Sequence, residues 1–140
     1  MGAEIHVKYM DIMQYKIVLQ IWDFGGEEQF RFLLPTYARG AFGGIFMYDI
    51  TRVGTTLKLA EWLNTFKEGL FKDEKDVPIL LVGGKLDLIE RRMVSLEEAK
   101  RLKEDHGFFD LIECSSKTGE NVNEIFEKIV HEIMNYKGFI

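Results

Sequence analysis

The sequence predicts an α/β fold: a parallel sheet with helices on both faces, in three layers. Two apolar runs carry this reading first. Ala41–Ile50 and Ile79-Leu80-Leu81-Val82 are nearly free of polar residues, as strands covered on both faces must be. Second, such strands alternate along the chain with stretches of helical spacing. Third, three strand ends run into unusual polar loops, Asp23-Phe24-Gly25-Gly26, Gly84-Lys85-Leu86-Asp87 and Ser115-Ser116-Lys117. In open parallel sheets ligands bind beyond the carboxyl ends of the strands, so these loops are expected to converge on one site.

Residues 3–22 read as an antiparallel hairpin. Ile5, Val7 and Tyr9 alternate with Glu4, His6 and Lys8, Asp11–Gln14 reverses the chain, and Ile17–Trp22 returns it. Residues 27–38 mix charge and aromatics, which suits a short irregular helix near Pro35. Residues 55–71 switch to helical spacing, with Leu59, Trp62, Leu63, Phe66 and Leu70 on one side. Ser95-Leu96-Glu97-Glu98 has the spacing of a capping box and opens a helix to about His106. Phe108–Glu113 is a short strand. Val122, Ile125, Phe126, Ile129, Val130 and Ile133 then form the apolar stripe of a last helix.

The length of 140 residues suits one domain. Net charge is −5 with acids and bases interspersed, so there is no basic stripe for a nucleic acid. A single cysteine, Cys114, rules out an internal disulfide and makes a reducing, cytoplasmic setting the expectation. No apolar run approaches the roughly 20 residues that span a bilayer. Met1-Gly2-Ala3-Glu4-Ile5-His6 fits neither a signal peptide nor a myristoylation pattern, and the last residues carry no cysteine to prenylate. The expectation is a soluble chain without an anchor.

Asp23 ends a strand and Gly26 comes three residues later. That order suits a metal-bound phosphate: the acid holds Mg²⁺ through water, and the glycine lets a backbone N–H reach a phosphate oxygen. Asp-x-x-Gly is also an ordinary turn. Asp87 can accept two hydrogen bonds from a ring with two adjacent N–H donors, which guanine has and adenine lacks. Lys85 can lay its stem along the ring with its charge in water, Ser116 can offer a backbone N–H to the guanine carbonyl, and Lys117 can cover the other side. The competing reading is a turn capped by Asp87 and a polar loop before the last helix.

These motifs together resemble the Ras-like small GTPases, most closely the Rab branch, over the whole chain. Trp22-Asp23-Phe24-Gly25-Gly26-Glu27-Glu28 is similar to Trp-Asp-Thr-Ala-Gly-Gln-Glu. Phe30-Arg31, Tyr37-Ala38-Arg39-Gly40-Ala41 and Tyr48-Asp49-Ile50-Thr51 are similar to the Rab pattern. Gly84-Lys85-Leu86-Asp87 matches Asn-Lys-x-Asp, and Ser115-Ser116-Lys117 with Thr118-Gly119-Glu120-Asn121-Val122 matches the Ser-Ala-Lys loop and the residues after it. The Phe-Gly-Gly variant is also similar to the Arf and Sar branches. The resemblance implies the P-loop NTPase fold, GTP or GDP with Mg²⁺ as ligands, and use as a switch. It also implies nucleotide contacts at Gly26, Gly84, Lys85, Asp87, Ser115, Ser116 and Lys117, with Mg²⁺ at Asp23 through water.

Three departures qualify it. The 140 residues contain no Gly-x-x-x-x-Gly-Lys-Ser/Thr loop to cradle phosphates. On the resemblance, Gly2 falls just after the switch I threonine, so the first strand, the phosphate loop and the first helix are missing. The glutamine that orients the attacking water is Glu27, whose carboxylate repels a γ-phosphate and cannot donate as an amide does. The asparagine that contacts the base is Gly84, a loss of about 1–3 kcal/mol in guanine binding. GTP binding and hydrolysis are therefore expected to be weak or absent. The alternative is a pseudo-GTPase serving as a dimerising or partner-binding scaffold.

The absent strand would lie between the strand ending at Trp22 and Ala41–Ile50, which leaves two open apolar edges. Those strands either close side by side or pair with a second copy, and a homodimer is the favoured form. His6, His106 and His131 lack metal-ligand spacing, Glu28 is expected to be solvated, and Trp22, Trp62 and Cys114 are expected to pack the core.

Overall fold

Strands β1 (Glu4–Ile12) and β2 (Tyr15–Asp23) form a hairpin with a two-residue turn in the computed structural model, which describes residues 4–140. Gly2, where the family resemblance begins, lies outside the described residues. The described chain divides into two compact units. One holds the chain up to Gly40 with Asn64–Lys75, the other Ala41–Leu63 with Asp76–Ile140.

In the first unit the hairpin turns at Met13, whose φ of 54° is left-handed. The pairing Ile5↔Trp22, Tyr9↔Val18 and Met10↔Ile17 fixes which side chains share a face. Ile5, Val7 and Tyr9, which alternate with Glu4, His6 and Lys8, lie on the more exposed face, at 51%, 54% and 77%. The more covered face carries Ile17, Leu19 and Ile21 opposite Met10, Lys8 and His6. Three aliphatic residues of β2 outweigh the β1 pattern, because register assigns a face to both strands at once.

Trp22 also departs from the expected core position: it is 39% exposed and lies against Tyr37, ring centroids 4.7 Å apart. After β2 a 3₁₀ segment, Glu28–Leu33, runs into α1 (Leu34–Ala38), with Pro35 in its first turn where no backbone N–H is needed. Glu28, expected to be solvated, pairs with Arg31 at 2.6 Å, because three residues in a helical segment bring the two side chains together. Leu34, Ala38, Phe66 and Leu70 are buried in this unit. Gly69 sits so close to Pro35 that a Cβ would clash with its backbone carbonyl.

The second unit is the parallel α/β part. β3 (Gly44–Asp49) leads to α2 (Gly54–Leu57) and α3 (Leu59–Gly69), which break the expected 55–71 helix at Lys58; α3 from Asn64 onward belongs to the first unit. β4 (Ile79–Gly84) is central, in the order β3-β4-β5, with both pairings parallel. All six of its residues are buried, so both of its faces are covered, as the apolar run requires.

α4 (Leu96–His106) starts at Ser95, whose hydroxyl accepts from the Glu98 N–H at 3.1 Å, and stops at Gly107 with φ 76°. β5 (Asp110–Glu113) is shorter than expected, and Phe108 before it packs edge-on against Phe46. α5 (Val122–Tyr136) buries Ile125, Ile129, Val130 and Met134.

Among the described residues, β1 and β2 make a two-stranded sheet in the first unit, and β3 is an edge strand of the three-stranded sheet in the second.

Candidate functional site

Two of the three polar loops meet in the second unit, at the carboxyl ends of β4 and β5. Parallel pairing sets Gly83 beside Glu113, and the ladder continues past the strands. The Cys114 N–H donates to the Gly83 carbonyl at 2.8 Å, and the Leu86 N–H to the Cys114 carbonyl at 2.9 Å. This stitching carries Ser115 under Asp87. The Ser115 hydroxyl, fully buried, donates to Asp87 Oδ1 at 2.8 Å and accepts from the Thr118 N–H at 3.1 Å.

The turn after Ser115 is closed by Gly119 N–H to the Ser115 carbonyl, 2.8 Å, and Ser115 N–H to the Glu120 carbonyl, 3.0 Å. Asn121, left-handed at φ 62°, donates its side-chain amide to the Glu113 carbonyl at 2.8 Å. The outcome is one buried serine orienting one carboxylate, with Ser116 and Lys117 exposed on the adjoining turn. Cys114 is buried, and burial pushes its thiol pKa up, so it is a poor nucleophile.

Lys85 is left-handed too, at φ 67° and ψ 38°, and its carbonyl accepts from the Leu88 N–H at 2.8 Å. Its side chain is 57% exposed, and its ammonium also has a carboxylate partner. Nζ lies 3.1 Å from Asp49 Oδ2. The sequence shows Asp49 only within the Tyr48-Asp49-Ile50-Thr51 pattern, yet it is the node of this loop. As the last residue of β3 it is the register partner of Gly84.

Asp49 Oδ1 accepts from the Thr51 N–H at 2.8 Å and the Thr51 hydroxyl at 2.6 Å, and the Asp49 N–H donates to Thr55 Oγ1 at 2.9 Å. Burial would raise the Asp49 pKa, but the Thr51 hydrogen bonds and the Lys85 ammonium outweigh it and hold the carboxyl below its ordinary value. An acid at a strand end, one sheet position from a lysine loop, was the signal that could have found it. Gly84 itself is buried, and a Cβ there would make only ordinary contacts, 3.5 Å from Met47 Cε and from the Tyr48 carbonyl.

Asp23, Gly26 and Glu27 lie in the other unit, at and after the end of β2. Asp23 Oδ1 accepts from the Gly25 N–H at 2.8 Å, and His6 Nε2 approaches Oδ2 at 4.0 Å. Gly25 and Gly26 are left-handed at φ 63° and 70° with open space where a Cβ would be. Glu27 is exposed, and its carbonyl accepts from the Phe30 N–H at 3.0 Å. Among the described residues no three His, Cys, Asp or Glu side chains gather as a metal site. The donor set at Asp23, one carboxylate with one oxygen committed to Gly25, suits a Mg²⁺ held mainly by water and phosphate rather than a cage built by protein.

Comparison with known proteins agrees with these motifs. The family model for the Ras family matches residues 1–135. The chain is 38% identical over 134 residues to Ras-related protein RABA5b of Arabidopsis thaliana, covering 96% of this chain and 60% of that protein. It matches Ras-related protein RABA5e of the same plant at the same identity and coverage. It is 33% identical over 133 residues to human Ras-related protein Rab-19, covering 95% of this chain and 60% of that one. The chain thus spans about 60% of the length of these curated relatives. No helix among the described residues is long and apolar enough to cross a membrane.

Proposed function

The chain belongs to the Ras family, with Rab-type relatives, and from that premise we propose that it is a guanine-nucleotide-binding switch domain. The observation that carries this reading is Asp87, a carboxylate oriented from below by the buried Ser115 hydroxyl at 2.8 Å. A carboxylate so fixed recognises two adjacent N–H donors on one ring edge and has nothing to offer adenine there. Lys85 and Lys117 flank the base, Ser116 meets its carbonyl, and Gly84 gives the ring backbone but no amide.

In the first unit, Gly26 would offer its N–H to a phosphate oxygen and Asp23 would hold Mg²⁺ through water. The family's activity is GTP hydrolysis, to which Mg²⁺ contributes charge neutralisation at the phosphates. In this chain Glu27 stands where an amide would orient water, so turnover is absent or very slow. The reading carries a cytoplasmic setting with it, supported by the lone, buried Cys114.

For the 140 residues alone, the base contacts do not compensate for a triphosphate without a P-loop cradle. Calorimetric titration with GDP and GTP in Mg²⁺ tests this. Binding is expected to be weaker than micromolar, and a dissociation constant of a micromolar or below, about −8 kcal/mol, would overturn that expectation.

A second reading is favoured by a different observation: among the described residues β2 and β3 each keep an unpaired edge within their own sheet, and Ile5, Val7, Tyr9 and Val18 lie exposed on one face of the hairpin. That surface, with Glu27 and Gly84, suits a pseudo-GTPase that dimerises or holds a protein partner. A dimeric mass in solution with no nucleotide bound would support the scaffold; a monomer that binds GDP would remove it.

A further inference from the structure

Asp49 and Lys85 form an unequal pair. The Asp49 side chain is 11% exposed and the Lys85 side chain 57%. The acid is anchored: one oxygen takes both Thr51 bonds, its own N–H is held by Thr55, and the other oxygen is left to face Lys85. The lysine is fixed at its other end by a left-handed backbone that residues other than glycine rarely adopt, in a turn closed by Leu88. A lysine stem normally samples many rotamers, and holding it costs entropy on every binding event. Fixed at backbone and at Nζ, this stem is a ready-made apolar shelf two residues from Asp87.

We propose that Asp49 is a positioning residue for a purine base: by holding the Lys85 ammonium it sets the lysine stem as the flat wall of the site whose edge is read by Asp87. The inference rests on the nucleotide reading above and adds to it a residue that need not touch the ligand. The ligand class is a guanine nucleoside, since the wall and the carboxylate address only the ring. A phosphate is not required. Asp49 therefore acts on affinity through Lys85, and removing either partner removes the same wall.

The test is a double-mutant cycle on the 140-residue chain, with guanosine as the probe so that no phosphate site is involved. Binding is followed by NMR at the amides of residues 84–87 and 115–117. Asp49→Asn keeps an oxygen for Thr51 but loses the ion pair, and Lys85→Met keeps a stem without the charge. Each is expected to weaken guanosine by about fivefold, and the double variant is expected to bind no more weakly than either single one. Asp49→Glu, which restores the charge, should recover most of the loss.

Unchanged affinity in Asp49→Asn would overturn the inference, as would losses that multiply in the double variant, because a general disturbance of the turn does not vanish when Lys85 is absent. Should Asp49→Asn fail to fold, unchanged binding by Lys85→Met alone overturns it equally. Failure of the nucleotide reading looks different: the unmodified chain would then bind no guanosine at all, and the positioning role would go with it.

Discussion

The loops after β4 and β5 and the loop after β2 resemble the same family's site, yet they are built in opposite ways. Gly84–Asp87 and Ser115–Asn121 are cross-tied by backbone and side-chain hydrogen bonds onto a fully buried serine and a buried strand. Asp23–Glu27 is exposed apart from half-buried Phe24, and turns on two left-handed glycines, an Asp23–Gly25 hydrogen bond and a long one, 3.5 Å, from the Glu27 N–H to the Phe24 carbonyl. The difference teaches where geometry is preset. On the nucleotide reading, the second unit would offer a base edge a carboxylate already held at one angle. The first unit would offer a metal-bound phosphate exposed backbone and one carboxylate.

The largest effect should come from the pair that fastens the preset side. Arg92 meets Glu113 through two hydrogen bonds, 2.7 and 2.8 Å, with both side chains mostly buried, and also donates to the Val94 carbonyl at 3.0 Å. Arg92→Ala leaves that carboxylate buried and alone, and should cost about 3 kcal/mol. Hydrogen exchange should report the loss across β3, β4 and β5. If β4 amides stay as protected as before, the fastening lies elsewhere.

The next test compares the two loops directly. Ser115→Ala removes the two hydrogen bonds of a buried hydroxyl, one of them to the Asp87 carboxylate, and should cost about 2 kcal/mol. Asp23→Ala removes one exposed hydrogen bond and should stay within about 0.5 kcal/mol. Denaturant midpoints of the two variants check this, and similar shifts would dissolve the contrast.

How much of this was legible depended on whether the signal was local. The Ser95–Glu98 cap, the apolar run of β4 and the stripe on α5 are local, and each stands where its pattern put it. The base loops are visible as motifs, but their cross-ties are not, because Leu86 and Cys114 meet only through the β4–β5 register. Asp49 was missed for the same reason. The covered face of the hairpin was not legible, because alternation in β1 says which residues share a face, not which face is covered; β2 decides that through pairing. The break at Lys58 carries no glycine or proline to announce it.

Gly84 gives a smaller effect and a gain. Its Cβ position is open to ordinary contacts, and its backbone is not left-handed, so Gly84→Asn can be accommodated. An amide there adds one contact to the base and should tighten guanosine binding by about 1 kcal/mol. NMR titration of the variant beside the unmodified chain measures it. Equal affinities would mean that the ring does not reach residue 84.

The smallest effect sets two left-handed residues against each other. Met13 and Lys85 have φ of 54° and 67°, a conformation that costs a residue with a Cβ about 1–2 kcal/mol. At Met13 little burial compensates for it, because the residue is 74% exposed at a hairpin turn. Met13→Gly should relieve the strain and, after the extra chain entropy of glycine, leave the hairpin about 0.5–1 kcal/mol more stable. At Lys85 the same substitution also removes the ion pair to Asp49, so its gain should be smaller or reversed. Hydrogen exchange at β1–β2 for one variant and at β4 for the other reads both. Equal gains would mean that Lys85 is merely a strained turn residue. Unequal gains would mean that the strain at Lys85 is held in place by Asp49, as a site that must keep a lysine there requires.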